Sequence, residues 1–149
     1  MIAIACDHAA YELKEEIKKL LEKRGLSYMD FGTNSSESCH YPVYGLRAAQ
    51  AVADGRCDRG IVMCGTGIGI SLAANKVKGI RCALCCDVYS AQMTRAHNDA
   101  NMLSMGARVL DKDTAIKIAE AFLDTPFEGG RHQARVDMLT AIENGESLE

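Results

Sequence analysis

A Rossmann-like doubly wound parallel sheet, a three-layer α/β/α sandwich in one domain, is predicted by three features of the chain. Short apolar runs alternate with amphipathic segments from end to end. Those runs are continuously apolar, as strands covered by helices on both faces must be. With 149 residues, 48% hydrophobic and 25% charged, the chain is long enough to bury one core and too short for two ordinary domains.

The elements follow in order. Met1–Cys6 reads as the first strand. Ala10–Arg24 is the first helix, with Leu13, Ile17, Leu20 and Leu21 on one face, Glu and Lys on the other, and Gly25 as its stop. Ser27–Phe31 is a short strand, Val43–Ala53 a helix, Gly60–Cys64 a strand and Ile70–Val77 a helix. Ile80–Cys86 is the next strand, Val88–His97 a helix, and Met102–Val109 holds a short strand. Thr114–Leu123 carries Ala115, Ile118, Ala119 and Phe122 on one stripe, and Arg131–Asn144 closes the chain as a helix.

Composition excludes several classes. A formal charge of -3 and no Lys/Arg run longer than two leave no electrostatic footprint for nucleic acid. The longest apolar runs are strand-sized and no secretory leader opens the sequence, so a cytoplasmic protein with no membrane partner is expected. Seven cysteines, an odd number set mostly in apolar runs, read as reduced thiols. Cys82 and Cys85 have zinc-ligand spacing, yet no second Cys/His pair matches them and they sit inside an apolar run; a core strand is the better reading and no metal is expected.

The stretch Gly60–Ser71 carries the chemistry. An apolar strand breaks at Cys64 into Gly65-Thr66-Gly67-Ile68-Gly69, and a helix begins. Such a turn aims unpaired backbone N–H groups at one point, where an anion or a developing oxyanion can sit facing the thiol. The glycines fit neither G-x-G-x-x-G nor the P-loop, so nucleotide binding is disfavoured. A bland alternative is a simple turn beside an inert thiol. In a doubly wound sheet ligands bind at the carboxyl ends of strands, which would gather Asp7, His8, Cys64 to Gly69, Asp87, His97 and Asn98. Taken singly, Asp7 reads equally as a helix cap, His8 as a surface residue and Asn98 as a C-cap. Arg131 and Arg135 are i,i+4 neighbours, flanking His132 and following Glu128-Gly129-Gly130. Two adjacent guanidiniums suit a phosphate, the competing reading being a solvated face paired with Asp137 and Glu128.

Seven blocks carry a resemblance spanning the chain: Cys6-Asp7-His8, Tyr41-Pro42, Cys64 to Ser71, Ala73 to Lys76, Tyr89 to Gln92, His97 to Asp99, and Glu128 to Gln133. Together they resemble the type B ribose-5-phosphate isomerases, whose family also includes galactose-6-phosphate and allose-6-phosphate isomerases. The resemblance implies aldose–ketose isomerisation without metal or cofactor, by proton transfer between C1 and C2 through a cis-enediolate. It implies that Cys64 is the base, that the N–H groups of Gly65, Gly67, Ile68 and Gly69 hold the enediolate, and that Thr66 hydrogen-bonds near the reacting carbons. His97 would open the furanose ring; Asp7, Tyr41 and Asn98 would bind the sugar. The phosphate would lie among His8, Arg108, Arg131 and Arg135, the last two reaching in from the second subunit of a homodimer or dimer of dimers through the helix at about 131–144. The family's other base, a glutamate after the glycine loop, is absent: Ile70-Ser71 stands there. His40 stands where Asp is frequent, leaving six-carbon sugar phosphates as an alternative substrate. A non-catalytic sugar-phosphate-binding domain is the other alternative, but binding alone does not require a thiol in the glycine loop.

Overall fold

Five parallel strands and six α-helices make the sandwich, described over all of residues 1–149 by a computed structural model. In chain order they are β1 (Ile2–Cys6), α1 (Tyr11–Lys23), β2 (Tyr28–Asp30), α2 (Tyr41–Ala53), β3 (Arg59–Cys64), α3 (Ile68–Asn75), β4 (Cys82–Leu84), α4 (Val88–Asn98), β5 (Met102–Gly106), α5 (Lys112–Asp124) and α6 (Arg131–Glu143). The sheet order is β2-β1-β3-β5-β4, every pair parallel.

Side-chain alternation along the strands builds two cores. Ile2, Ile4 and Cys6 of β1, Ile61 and Met63 of β3, and Leu103 and Met105 of β5 pack with α1 and α5. Ala3 and Ala5, Val62 and Cys64 face the other way, onto Ala48, Ala49 and Val52 of α2 and Ile70 and Ala74 of α3. The alanines on both sides of that second interface let α2 lie close against β1. The chain leaves β1 for β2 on one side and reaches β3 on the other after crossing to the opposite face, so a crevice opens at the carboxyl ends of β1 and β3.

Boundaries differ from the sequence reading in instructive places. A 3-10 turn, His8–Ala10, precedes α1, because the Asp7 carboxylate caps it by accepting from the Ala9 N–H at 3.0 Å. Helix α2 begins at Tyr41, two residues early, with Pro42 in its first turn, where a missing N–H costs nothing. Helix α3 starts at Ile68, immediately beyond the loop, and stops at Asn75, two residues short of Val77. Strand β4 holds only three of the seven residues expected: it is an edge strand, and the Asn75 side chain takes its first N–H, that of Cys82, at 2.8 Å. Strand β5, Met102–Gly106, lies inside the stretch expected to hold it, and α5 begins at Lys112 behind an Asp111 cap.

Lys14 breaks the amphipathic pattern of α1. It is fully buried, its ammonium donating to both Asp30 carboxylate oxygens (2.7 and 2.9 Å), to the Thr33 carbonyl (2.6 Å) and to Asn34 Oδ1 (3.0 Å). This pins the segment after β2 to β1, where the Thr33 N–H also donates to the Cys6 carbonyl. Burial works to raise the Asp30 pKa, but Lys14, the Gly32 N–H and Lys18 outweigh it and hold the carboxyl below its ordinary value. A carboxyl depressed in the fold adds stability above its unfolded pKa of about 3.9 and loses it as pH falls through the lower folded value. Lys14→Met is therefore expected to cost about 3 kcal/mol or more at pH 7 in urea unfolding. That difference should shrink in acid, where Asp30 is protonated in both proteins.

Candidate active site

Three carbonyls at and after the end of β3 are held on the sheet side. The Ala107 N–H donates to the Cys64 carbonyl and the Arg108 N–H to that of Gly65, both at 2.9 Å. The buried Ser104 hydroxyl donates to the Gly67 carbonyl at 2.6 Å, and Ser71 Oγ to that of Ile68 at 2.7 Å. Thr66 O rests on Gly106, where a Cβ would come within 2.5 Å of it. With the carbonyls turned away, the N–H groups are what the loop offers. That of Gly67 donates to Cys64 Sγ at 3.2 Å and that of Ile68 to Thr66 Oγ1 at 3.2 Å; those of Gly65 and Thr66 have no partner in the chain. Gly67 sits at φ 78°, a left-handed conformation that glycine adopts without penalty. The result is a thiol under a nest of donors, as an oxyanion site requires.

Four further expected residues lie around this loop. Asp7, at the end of β1, is buried, and its capping bond uses Oδ1 alone. His8 Nδ1 accepts from the Cys39 N–H at 3.2 Å, so the neutral ring carries its proton on Nε2. Arg108 lies over Gly65, where a Cβ would touch its Cδ and Nη1 at 3.4 Å. The Tyr41 ring covers Gly69 closely: a Cβ there would stand 2.6 Å from its Cζ. Burial pushes Cys6 up to about 12 and Cys85 up to about 11, leaving both protonated and inert. Cys82 gains no further metal ligands, and a half-buried place on the edge strand accounts for it.

His97 and Asn98 do not join this group within one chain, contrary to the sequence reading. Helix α4 runs antiparallel to the strands, so its last turn lies at the amino edge of the sheet. Cys64 pairs with Gly106 at one end of β5 and Gly60 with Met102 at the other, about 13 Å apart at ~3.3 Å per residue; His97 and Asn98 precede the second end. There they meet α6: His97, Asn98, His132, Arg135, Val136 and Leu139 line one cavity of about 340 Å³. The Glu128 N–H donates to the Ala96 carbonyl at 3.0 Å, tying the entry to α6 onto α4. Buried Arg95 fixes the turn beneath through Asp99 Oδ1 (2.8 Å) and the Ala100 carbonyl (2.7 Å). The solvated-face alternative for the arginines fails in its pairing: Asp137 bonds Gln133, Glu128 faces the two histidines, and the arginine ion pairs use Arg24, Arg56, Arg81 and Arg95. Of the five arginines without a carboxylate, Arg47 lies over the Tyr44 ring and Arg59 donates to the carbonyls of Phe122 and Leu123, while Arg108, Arg131 and Arg135 have neither kind of partner.

One ligand atom each from His97, Glu128 and His132 lies within 4.8 Å of the others, a donor set that would suit zinc by type. The geometry does not suit it. The two rings are stacked, centroids 4.1 Å apart and planes 11° from parallel, so their lone pairs run side by side instead of converging. Burial first, then the like charge of His97, holds the His132 pKa below its ordinary value.

A thiol beneath an N–H nest at the crevice of a doubly wound sheet, with unpaired guanidiniums elsewhere on the same chain, marks an enzyme for small anionic substrates. The family model described as Ribose/Galactose Isomerase matches residues 2–139, and the chain belongs to that family. It is 51% identical over 142 residues, 95% of each chain, to ribose-5-phosphate isomerase B of Escherichia coli (strain K12). It is 42% identical over 146 residues, 97% of this chain and 96% of the other, to D-erythrulose-4-phosphate isomerase of Pectobacterium atrosepticum. The structure of ribose-5-phosphate isomerase B from Clostridium thermocellum superposes with a TM-score of 0.95 at 53% identity, covering 98% of this chain and 99% of that one. Sequence reasoning had no hold on Gly106 or Ser104, which shape the loop from a neighbouring strand. A glycine inside a stretch that holds a strand, which marks a close approach of another backbone, was the available signal. Gly106→Ala is expected to displace Thr66 and lower isomerase turnover about a hundredfold, with far-UV circular dichroism unchanged.

Proposed function

We propose that the chain is an aldose–ketose isomerase interconverting D-ribose 5-phosphate and D-ribulose 5-phosphate, and that each active site is assembled from two copies of it. Two of the three relatives named above, both above 50% identity, are ribose-5-phosphate isomerases B, which supports the five-carbon substrate. The carrying observation for the shared site is the separation of the residues in one chain. Asp7, His8, Cys64 to Gly69 and Arg108 stand at the carboxyl edge of the sheet; His97, Asn98 and Arg135 gather at the other edge, with Arg131 at the start of α6 beside them. A two-fold dimer presents the second group of one protomer to the first group of its partner, and does so twice. Exposed Val43, Leu46, Ile68 and Leu72 on α2 and α3, flanking the loop, offer an apolar surface for that contact.

In such a site the phosphate dianion lies among His8 Nε2–H, Arg108 and the partner's pair of guanidiniums. Cys64, as thiolate, removes the proton on C2 of the open aldose; the C–H electrons form the C1–C2 double bond and charge moves onto O1. The unpaired N–H groups of Gly65 and Thr66 face that oxygen. Cys64 then returns the proton to C1 as the O2 proton passes to O1, giving the ketose with no atom gained or lost.

Cys64→Ala is expected to lower kcat by about 10² to 10⁴ with phosphate binding retained. Retention of more than about a tenth of wild-type kcat would place the base elsewhere. The shared site is tested by subunit exchange between Cys64→Ala and His97→Ala, each alone inactive on cyclic ribose 5-phosphate. A random mixture holds about half heterodimers, each with one intact site, so about a quarter of wild-type activity should return. Exchange without recovery would put His97 and Cys64 in the same chain's site. Parallel kcat/KM measurements on ribose, allose and galactose phosphates and on erythrulose 4-phosphate test the chain length.

A further inference from the structure

Resting on the isomerase reading, we propose that His132 and Glu128 are positioning residues for His97, His132 fixing the plane of its ring by stacking and Glu128 fixing its proton-bearing nitrogen. His97 is half-exposed on the last turn of α4 and has no hydrogen bond to hold its ring. What constrains it is the face of His132, 4.1 Å away and 11° from parallel. His132 is itself a rigid platform: it is buried at the start of α6, and its neighbour one turn on, Val136, is buried beside it in the same cavity wall. Both Nε2 atoms face the same Glu128 oxygen, at 3.8 Å from His97 and 3.4 Å from His132. Glu128 is in turn held at that spot by its N–H on the Ala96 carbonyl.

The arrangement assigns a direction to the proton. A carboxylate on the Nε2 side favours a proton there in both rings, and two stacked imidazoles cannot both be charged cheaply. The other charges facing the pair are the guanidiniums of Arg131 and Arg135, which add to the same restriction on His132. The two rings therefore share at most one extra proton, and the ring that holds it is an imidazolium with its Nε2–H toward Glu128. Ring opening uses it as follows: the C1–O4 bond of the furanose breaks, O4 takes the proton from His97, the C1 hydroxyl gives its own to water, and C1 becomes a carbonyl. His97 is then recharged from solvent.

Ribulose 5-phosphate separates this role from a structural one. Its O5 is esterified, so it cannot close a furanose, and enzyme-catalysed exchange of its C1 hydrogen in D2O reports proton transfer alone. His132→Ala is expected to lower turnover of cyclic ribose 5-phosphate about tenfold or more, with C1 exchange by NMR within about twofold of the unaltered chain. His132→Phe, which keeps the aromatic face, should recover turnover to within about threefold, and Glu128→Gln, at an exposed position that does not threaten folding, should lower turnover but not exchange. The inference is overturned if turnover and exchange fall together in both His132→Ala and Glu128→Gln, or if neither variant lowers turnover more than about threefold. If the unaltered chain performs neither reaction, the isomerase reading fails and takes this inference with it.

Discussion

Everything at the carboxyl edge depends on how the loop after β3 spends its carbonyls. Parallel pairing sets Cys64 opposite Gly106, and the chain that follows each strand end then binds the other: Ala107 and Arg108 take the carbonyls of Cys64 and Gly65, Ser104 takes that of Gly67. Oxygen facing the crevice would repel an enediolate. Because the oxygens of Cys64, Gly65 and Gly67 have partners behind the loop and that of Thr66 is turned onto Gly106, the front is lined by donors at no cost when charge develops, which is electrostatic preorganisation in its backbone form.

The same accounting explains why glycine recurs where it does. Gly67 permits the left-handed turn that aims its own N–H at the thiol, and Gly106 permits Thr66 to lie against β5. A side chain at either position would push the loop outward by the length of the contact it lost. The buried cation under β2 plays the corresponding part for the adjacent segment, since Lys14 gathers Asp30, Thr33 and Asn34 into a fixed path beside Asp7 and His8.

Local physics made much of this legible in the sequence, and non-local physics hid the rest. Continuous apolar runs gave the parallel sheet, and the Cys64 to Gly69 pattern gave the donor-lined turn, because both are properties of adjacent residues. Strand order is not such a property: that β5 lies between β3 and β4 follows from a crossover whose length the sequence does not state. Lys14 looked like part of a solvated face, since its burial is decided by an aspartate sixteen residues away. His97 was misplaced for a related reason. The reading that ends a helix at His97 also gathers it with the carboxyl ends of the strands, whereas the direction of α4 puts it at the edge where strands begin.

Helix α6 is joined to the body by little. Of its thirteen residues only His132 and Val136 are buried, Met138, Leu139 and Ile142 are exposed, and the Glu143 carboxylate on the Gly79 N–H closes its far end. A segment with so few buried apolar contacts opens at a free energy well below that of the sheet. In an isolated protomer the helix bearing Arg131 and Arg135 would thus exchange its amides ahead of the sheet, and burying Leu139 and Ile142 against a second copy would slow that opening. Order in the terminal helix and completion of the phosphate grip would then be one equilibrium, drawn in the same direction by protein concentration.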